Sequence, residues 1–442
     1  MRLLLTHGFF LNEDLKEQEI MRPYPPLGLL YLCAYLRKRG FDVDVYDSTW
    51  GSRTELEGLL ESGERGWLGI YGNLLTRGSV LSIIERARAA GWRVIVGGPE
   101  PANYAEEYLA GGAEYIVPGE GEVVLEQLLS GDAAPDGVIY RDACGKIVRT
   151  PPAGLIPDLD SLPWPARDQA DIPRYLKAWR ERHGKGSVSL ITARGCPFHC
   201  RWCSHSTFGQ THRRRSFTAV ADEVEWIVNR YQPEMVWYAD DVFTIHRGWT
   251  LSFAHEMKER GLRVPFECIT RADRLDESVA DALASLGCFR VWLGSESGSQ
   301  RILDSMKRGV KVEQVQKAVG LVQDRGIEAG MFLMWGYEGE QIEDIEATVQ
   351  HVKTCRPNVF LTTVAYPIKG TPYYEEVQSK LVRLGDFRSS TDRNIQVRGR
   401  RSRSFYRHAD DLLRGAMQSP EDDARVADAR RGLMETREEV EA

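Results

Sequence analysis

Nothing in these 442 residues approaches the ~18 to 20 uninterrupted apolar positions of a membrane-spanning helix, and the opening "MRLLLTHGFFLNEDLKE" turns acidic too early for a secretory signal. A basic excess is also lacking: 57 Lys and Arg against 64 Asp and Glu leave a net charge of -7, which disfavours a polyanion such as nucleic acid as the main partner. No GxGxxG follows the first apolar segment and no GxxxxGK[ST] occurs anywhere, which argues against a phosphate cradle of either common kind. Cysteine is sparse. Of eight, five (Cys33, Cys144, Cys268, Cys288 and Cys355) are scattered singly, which excludes the dense disulfide framework of small secreted domains and suggests a reducing, cytoplasmic setting.

The other three cysteines are crowded. "RGCPFHCRWCSH" places Cys196, Cys200 and Cys203 within eight positions, in a loop rich in Arg and His. Free cysteine prefers burial as a small hydrophobe, so such a loop calls for ligand chemistry. Two accounts fit the residues. A structural zinc site would close its tetrahedron with His199 or His205. An iron–sulfur cube would take three thiolates and leave one iron open to a substrate.

The length calls for more than one domain. Through about residue 145, short apolar runs ("RLLLTHG", "VDVYDS", "LGIYGN", "RVIVGGPEP", "YIVPGEGE") alternate with amphipathic stretches such as "LGLLYLCAYLRKRG". This alternation predicts an α/β domain with a doubly wound, Rossmann-like parallel sheet that binds its ligand at the carboxyl ends of the strands. The turns there, Ser48 to Gly51, Gly72 to Thr76, Gly97 to Pro101 and Pro118 to Glu122, are rich in glycine and proline, which suits close backbone approach to a large ligand. Residues 146–186 carry six prolines between Pro151 and Pro173 and read as an extended linker. From 187 to 375, "VSLITARG", "MVWYADD", "FECITRAD", "FRVWLGSES", "AGMFLMWG" and "VFLTTVAYP" alternate with helical patterns, as in a partial (β/α)6 barrel whose chemistry gathers after each strand. Residues 376–442 read as a charged helical tail.

The motif Cys196-xxx-Cys200-xx-Cys203, with Trp202 before the last cysteine, resembles the CxxxCxΦC signature of the radical S-adenosylmethionine (SAM) superfamily. Further stretches, "RPYPPLGLLYLCAYLRKRGFDVDVYD", "GGPEP", "VPGEGE", "DLDSLPWPARD", "SHSTFGQTHRRRS", "YADDVFT", "GSESGSQRIL" and "MKRGV", resemble the branch with an amino-terminal cobalamin-binding domain, which includes the anaerobic magnesium-protoporphyrin monomethyl ester cyclase. The resemblance covers about residues 1 to 370. It implies a [4Fe-4S] cluster on Cys196, Cys200 and Cys203, with SAM on the open iron and cobalamin in the first domain. SAM carries an ammonium, a carboxylate and a ribose diol, so carboxylates and one arginine are what its recognition needs. Candidates are Trp202 in the cysteine loop, Tyr238, Asp240 and Asp241 after the second barrel strand, Arg271 after the third, Glu296 and Ser297 after the fourth, and Tyr337, Glu338 and Glu340 after the fifth. Corrin candidates are Ser48, Thr49, Asn73, Leu74, Gly97, Gly98, Pro99, Glu100, Gly119, Glu120 and Gly121.

One departure concerns the metal's lower face. Cobalamin domains that ligate cobalt do so through the histidine of DxHxxG; here the region reads "THGFFLNEDLKE", and His7 lies too early and lacks the upstream aspartate, so a polar strand-end role is expected of it. The implied reaction is methylation of an unactivated carbon of a small metabolite: one SAM methylates cobalt, a second yields a 5'-deoxyadenosyl radical, and a flavodoxin- or ferredoxin-type donor supplies the electron. Cyclisation or rearrangement without methylation is the alternative within the superfamily. A tRNA-modifying methylthiotransferase would use the basic stretches "HRRRS" (212–216) and "RGRRSRSFYRH" (398–408), but lacks its expected first-domain cysteines here. A non-catalytic corrinoid-binding module would need no labile cluster.

Overall fold

The computed structural model describes residues 2–205, 207–418 and 424–441. The chain divides into two compact units, residues 1–196, 205–237 and 387–391, and residues 197–204, 238–386 and 392–442.

In the first unit, strands β1 (Arg2–His7), β2 (Asp42–Val45), β3 (Trp67–Tyr71), β4 (Arg93–Gly97) and β5 (Tyr115–Val117) alternate with helices α1 (Leu15–Ile20), α2 (Leu27–Lys38), α3 (Arg53–Ser62), α4 (Arg77–Ala89), α5 (Ala105–Ala110) and α6 (Glu122–Leu129). An antiparallel hairpin, β6 (Ile139–Arg141) and β7 (Ile147–Arg149), extends the sheet to the order β2-β1-β3-β4-β5-β6-β7. The five leading strands pair in parallel, and the order reverses between β1 and β3, the switch point where such sheets open a crevice. Both faces of the sheet are covered: Leu4, Leu68, Ile70, Val94 and Val96 pack under α3 to α5, while Leu3, Leu5, Trp67 and Ile95 pack under α2 and α6. Burial on both sides explains why these strands read as continuous apolar runs.

The proline-rich segment is less irregular than its composition predicts. After single-turn 3-10 helices at Leu159–Ser161 and Arg167–Gln169, helix α7 runs from Ile172 to His183. Pro173 lies in its first turn, where the missing N–H costs nothing, and Asp171 caps it by accepting from the Arg174 N–H at 3.1 Å. The extended-linker expectation therefore fails over 172–183, and the strand at 147–149 falls inside it as well.

The same unit continues through β8 (Ser187–Leu190), the two-residue strands β9 (Ala193–Arg194) and β10 (Arg213–Arg214), and helix α8 (Phe217–Tyr231). The second unit contributes β12 (Phe266–Thr270), β13 (Cys288–Glu296), β14 (Glu328–Trp335) and β15 (Val359–Val364), which follow β11 (Met235–Tyr238), with helices α9 (Arg247–Glu259), α10 (Glu277–Leu286), α11 (Gln300–Ser305), α12 (Val312–Gln323) and α13 (Ile342–Cys355). The strand order β15-β14-β13-β12-β11-β8 follows the chain, with parallel pairing from β12 to β15, as expected for six strand–helix repeats closing partway into a barrel. The tail is not purely helical: after α14 (Pro372–Val377) come paired strands β16 (Leu381–Val382) and β17 (Gln396–Val397), then α15 (Arg403–Gln418) and α16 (Ala424–Glu435). No helix among the described residues is long and apolar enough to cross a membrane.

Candidate functional site

In the first unit, the carboxyl ends of β1, β3, β4 and β5 surround a cavity of about 120 Å³. Of the corrin candidates, Gly97, Gly98, Gly119, Glu120 and Gly121 line it, together with apolar Leu5, Ile70, Ile95 and Val117. Gly98 has φ 107°, and a Cβ there would lie 2.3 Å from the Gly72 carbonyl oxygen; Gly119 has φ 79°. Only glycine holds such backbone without strain, so the rim there is bare main chain.

The other corrin candidates lie outside that lining and are occupied locally. The Ser48 hydroxyl pairs with Thr6 Oγ1 at 2.8 Å, the Thr49 N–H donates to Asp47, and the Asn73 side chain caps α4's approach by accepting from the Leu75 and Thr76 N–H groups. Buried Glu100 accepts from the Arg77 guanidinium and from the Tyr108 hydroxyl at 2.6 Å. Leu74 and Pro99 are half-buried and do not reach the cavity. Glu120 takes part only as a member of a buried ion network: Arg194 donates to Glu120 at 2.8 Å and to Glu122 at 2.6 Å, and Arg213 donates to Glu120 at 2.8 Å. Burial raises the Glu120 carboxyl, but hydrogen bonds from Arg213 and Arg194 outweigh it and hold the group below its ordinary range. Arg194 and Phe208 complete the lining, 5.3 Å apart as cation and ring. Sequence reasoning missed both, because nothing local marks the segments flanking the cysteines as walls of the first domain. The "HRRRS" stretch is equally absorbed, since Arg215 pairs with buried Glu223.

His7 is buried with both ring nitrogens engaged. Nδ1 accepts from the Phe9 N–H at 3.2 Å, which leaves Nε2–H to donate to Asp47 at 3.1 Å. Tyr175 donates to the other Asp47 oxygen at 2.6 Å. No nitrogen is free for a metal, in keeping with the strand-end role.

The second unit holds Cys200 and Cys203, in a tight turn closed by the Cys203 N–H donating to the Cys200 carbonyl at 3.2 Å. Cys196 is half-buried, Cys200 buried and Cys203 exposed, and all eight cysteines are free thiols. Among the described residues no three ligating side chains converge on one point, as a single ion would require; a cube takes its thiolates at separate corners. Two guanidiniums address Cys200: Arg271 Nη1 and Arg308 Nη1 each lie 3.8 Å from its sulfur. Arg271 also donates to Asp273 at 2.8 Å and to the Arg308 carbonyl at 2.9 Å, and its guanidinium lies 3.6 Å over the Phe198 ring. Arg308, in "MKRGV", donates to the Gly294 carbonyl at 2.8 Å and stands 3.7 Å from Glu296. Burial pushes the Cys200 thiol up, and the Arg271 charge pulls it back.

Glu296 ends β13 at an irregularity in the β13–β14 register, with φ 62°, a left-handed conformation costly for a side chain of this size. Its buried carboxyl is pushed up to about 8 by desolvation, only partly opposed by Arg271. A strained, buried acid beside two arginines and a thiol is a site feature. Trp202 is half-buried against an apolar cluster that includes Met306, Met334, Tyr337 and Tyr373. Asp240 is buried at the end of the β11 loop. Two candidates serve the scaffold: Tyr238 stacks on Phe243 at 4.8 Å and meets Phe266 edge-on, while the Ser297 hydroxyl pairs with Thr348 and accepts from the Ser299 N–H. After β14, Tyr337 stacks on Tyr373 at 4.7 Å, Glu338 pairs with Lys380, and Glu340 accepts from the Gly336 N–H at 2.6 Å with its carboxyl raised to about 8 by burial. In this unit the sequence reading also lacked Arg308; its signal was the single arginine of a stretch already counted as family-like.

One unit thus carries closely spaced thiols with two guanidiniums on Cys200, and the other a glycine-lined crevice at its strand ends. Residues 190–352 match the radical SAM superfamily and residues 19–129 a B12 binding domain, so the chain belongs to the cobalamin-binding branch of the radical SAM enzymes. Its cofactors are accordingly a [4Fe-4S] cluster, SAM and cobalamin. It is similar to an uncharacterized methyltransferase of Pyrococcus horikoshii, with 28% identity over 79% of this chain and 78% of that protein. It also resembles the anaerobic magnesium-protoporphyrin IX monomethyl ester cyclase of Rubrivivax gelatinosus, with 27% identity over 88% of this chain and 72% of that one. Its fold is shared with the radical SAM methyltransferase TsrM from Kitasatospora setae, solved with cobalamin and a [4Fe-4S] cluster bound, at TM-score 0.71 and 22% identity over 86% of this chain and 74% of that chain.

Proposed function

We propose that the enzyme transfers a methyl group from SAM to an unactivated carbon of a small molecule, and the observation that carries this is the match of one chain to both the radical SAM superfamily and a B12 binding domain. When bound, the cluster with SAM supplies a radical and cobalamin supplies a methyl carrier; the protein supplies geometry and exclusion of water. Cys196, Cys200 and Cys203 would hold the cluster. Arg271, rigidified by Asp273 and the Phe198 ring, would receive the methionyl carboxylate of SAM, a role suited to a fork of fixed donors. Arg308 would brace the Cys200 sulfur and the Glu296 carboxyl together. Glu296 and Asp240 would accept from the ammonium or ribose hydroxyls; binding a cation beside Glu296 would draw off the proton that burial now favours. The 337–340 turn would face adenine, and Gly97, Gly98, Gly119 and Gly121 would accept the corrin.

Similarity to a protein named as a methyltransferase over nearly four-fifths of both chains supports the reading. Similarity to the cyclase supports a second one, radical ring closure without methylation. The free state of all eight cysteines fits a reducing cytoplasm with an external flavodoxin- or ferredoxin-type donor. The test uses SAM carrying a trideuterated methyl group. Product gaining one CD3 in place of hydrogen, with S-adenosylhomocysteine and deoxyadenosine in comparable amounts, supports methyl transfer. Substrate turnover with deoxyadenosine and no label in the product assigns the enzyme to ring closure.

A further inference from the structure

The arginine-rich stretch 398–408 has no part in the reaction above, yet it is folded rather than trailing. Thr362 on the outer face of β15 donates to Asp410 of α15 at 2.5 Å, and Arg414, one turn on, lies 5.4 Å from the Phe360 ring. Helix α15 thus runs antiparallel along β15, with its first turn at the strand's carboxyl end. There a cavity of about 400 Å³ opens between that turn and the ends of β14 and β15, where Trp335 and Val364 are paired in register.

Four arginines line it: Arg393, Arg400, Arg403 and Arg407. Against them stand Glu441 and Asp410, so the lining carries four positive and two negative charges, an excess of two. Both acids are already committed, Glu441 to Arg400 at 2.8 Å and Asp410 to Thr362 and, at 2.6 Å, to Arg414. Arg403 and Arg407 lie four residues apart on one face of the helix, exposed, and among the described residues no carboxylate pairs with either or with Arg393. Trp335, only 1% exposed, also lines the cavity, and its indole N–H has no acceptor. A buried donor left unmet costs on the order of 1–3 kcal/mol, which a bound acceptor would recover.

We infer that this cavity is an oxyanion site for the phosphoryl or phosphonyl group of a small-molecule ligand. Convergent guanidinium forks, an indole N–H and the amino end of a 16-residue helix suit a tetrahedral dianion with oxygens in several directions; a planar carboxylate would satisfy one fork and leave the others unmet. The site lies on the carboxyl side of the strands, where the barrel's chemistry gathers, and Tyr406 of the same helix packs on Gly336, whose added Cβ would meet the tyrosine ring at 2.8 Å. The helix that holds the anion therefore also braces the turn after β14.

The test needs neither cluster nor cobalamin, so its failure is separate from that of the methyl-transfer reading. Calorimetry on the full chain would titrate inorganic phosphate, methyl phosphate, methylphosphonate and acetate. Saturable one-site binding of phosphate, methyl phosphate and methylphosphonate, weakened about tenfold or more in Arg403→Ala/Arg407→Ala, is the expected result, each charged hydrogen bond being worth roughly tenfold. Arg431→Ala, a charge-matched change on α16 at an arginine paired with Asp428, should leave binding unaltered. Absence of saturation, equal weakening by Arg431→Ala, or acetate binding as tightly as phosphate would overturn the proposal. So would binding of inorganic phosphate with rejection of methyl phosphate and methylphosphonate, since the site would then take a free ion and not a ligand's handle.

Discussion

The two candidate cofactor regions balance their charges in opposite ways with similar residues. At the strand ends of the first unit every carboxylate is spent internally: Asp47 on His7 and Tyr175, Glu100 on Arg77 and Tyr108, Glu120 and Glu122 on Arg194. What remains open is glycine backbone and apolar wall, a surface that recognises by shape and dispersion. In the second unit the balance is left unfinished: two guanidiniums reach a free thiol, and the only ion pair of buried Glu296 among the described residues is the 3.7 Å contact with Arg308. Polar groups held ready for charge that arrives with the ligand are what SAM and a cluster require. Burial by itself therefore does not mark function; incomplete pairing does.

The largest break in this contrast comes from the thiols. Cys200→Ala should abolish both cluster loading, read as iron, sulfide and visible absorption after anaerobic reconstitution, and SAM cleavage. Cys33→Ala, at a fully buried thiol in the first unit, should leave both intact. Normal cleavage by Cys200→Ala would remove the cluster assignment.

Next come the guanidiniums. Arg271→Ala should weaken SAM binding in equilibrium dialysis by about 10- to 100-fold, the worth of a charge-assisted hydrogen bond, and Arg271→Lys should recover only part because a point charge cannot reproduce the fork. Unchanged affinity in Arg271→Ala would reduce that residue to scaffold.

A smaller effect is expected in the first unit. Gly98→Ala forces a Cβ against the Gly72 carbonyl from a left-handed backbone, so it should cost about 1–3 kcal/mol, read as a lowered Tm, and weaken cobalamin binding. Full cobalamin affinity at lowered Tm would place Gly98 in the fold alone.

The pH response separates the units further. Glu296 in the folded enzyme is raised to about 8, so the folded state binds its proton more tightly than the unfolded chain, whose glutamate titrates near ~4.3. That stabilisation is complete below the unfolded value and is lost as pH rises through about 8. Cofactor-free protein should therefore lose Tm from pH 5 to pH 8, and Glu296→Gln should flatten part of the loss, with Glu340 carrying a similar share. An unaltered pH profile in Glu296→Gln would show that the carboxyl is already ionised.

Least affected should be the cobalt spectrum of His7→Ala. With both ring nitrogens already used, His7 should contribute no nitrogen hyperfine splitting, so the Co(II) signal should be the same in parent and variant. Splitting that disappears in the variant would show the ring to be free after all.

Local chemistry made much of this molecule legible. Buried parallel strands must be apolar along their length, so all eleven strands of the two series stood out as runs, and the cysteine spacing pointed to ligand chemistry within eight positions. Helix α7 did not stand out, because the proline count obscured that Pro173 sits in a first turn, the one place a helix tolerates it. Nor did the hairpin β6–β7, whose strands are only three residues each.

The sequence alone determined which chemistries were available: the thiols, the glycine turns, and the absence of a DxHxxG histidine. Tertiary structure decided which side chains were free to use them. Glu100, Ser48, Tyr238 and Ser297 carry the right functional groups at strand ends, yet each is consumed by a partner distant in sequence or by a ring cluster, whereas Arg308, Arg194 and the Trp335 indole acquire their positions only through contacts across the fold. A sequence records donors and acceptors; pairing is a property of distance, and distance between remote residues exists only once the chain has packed.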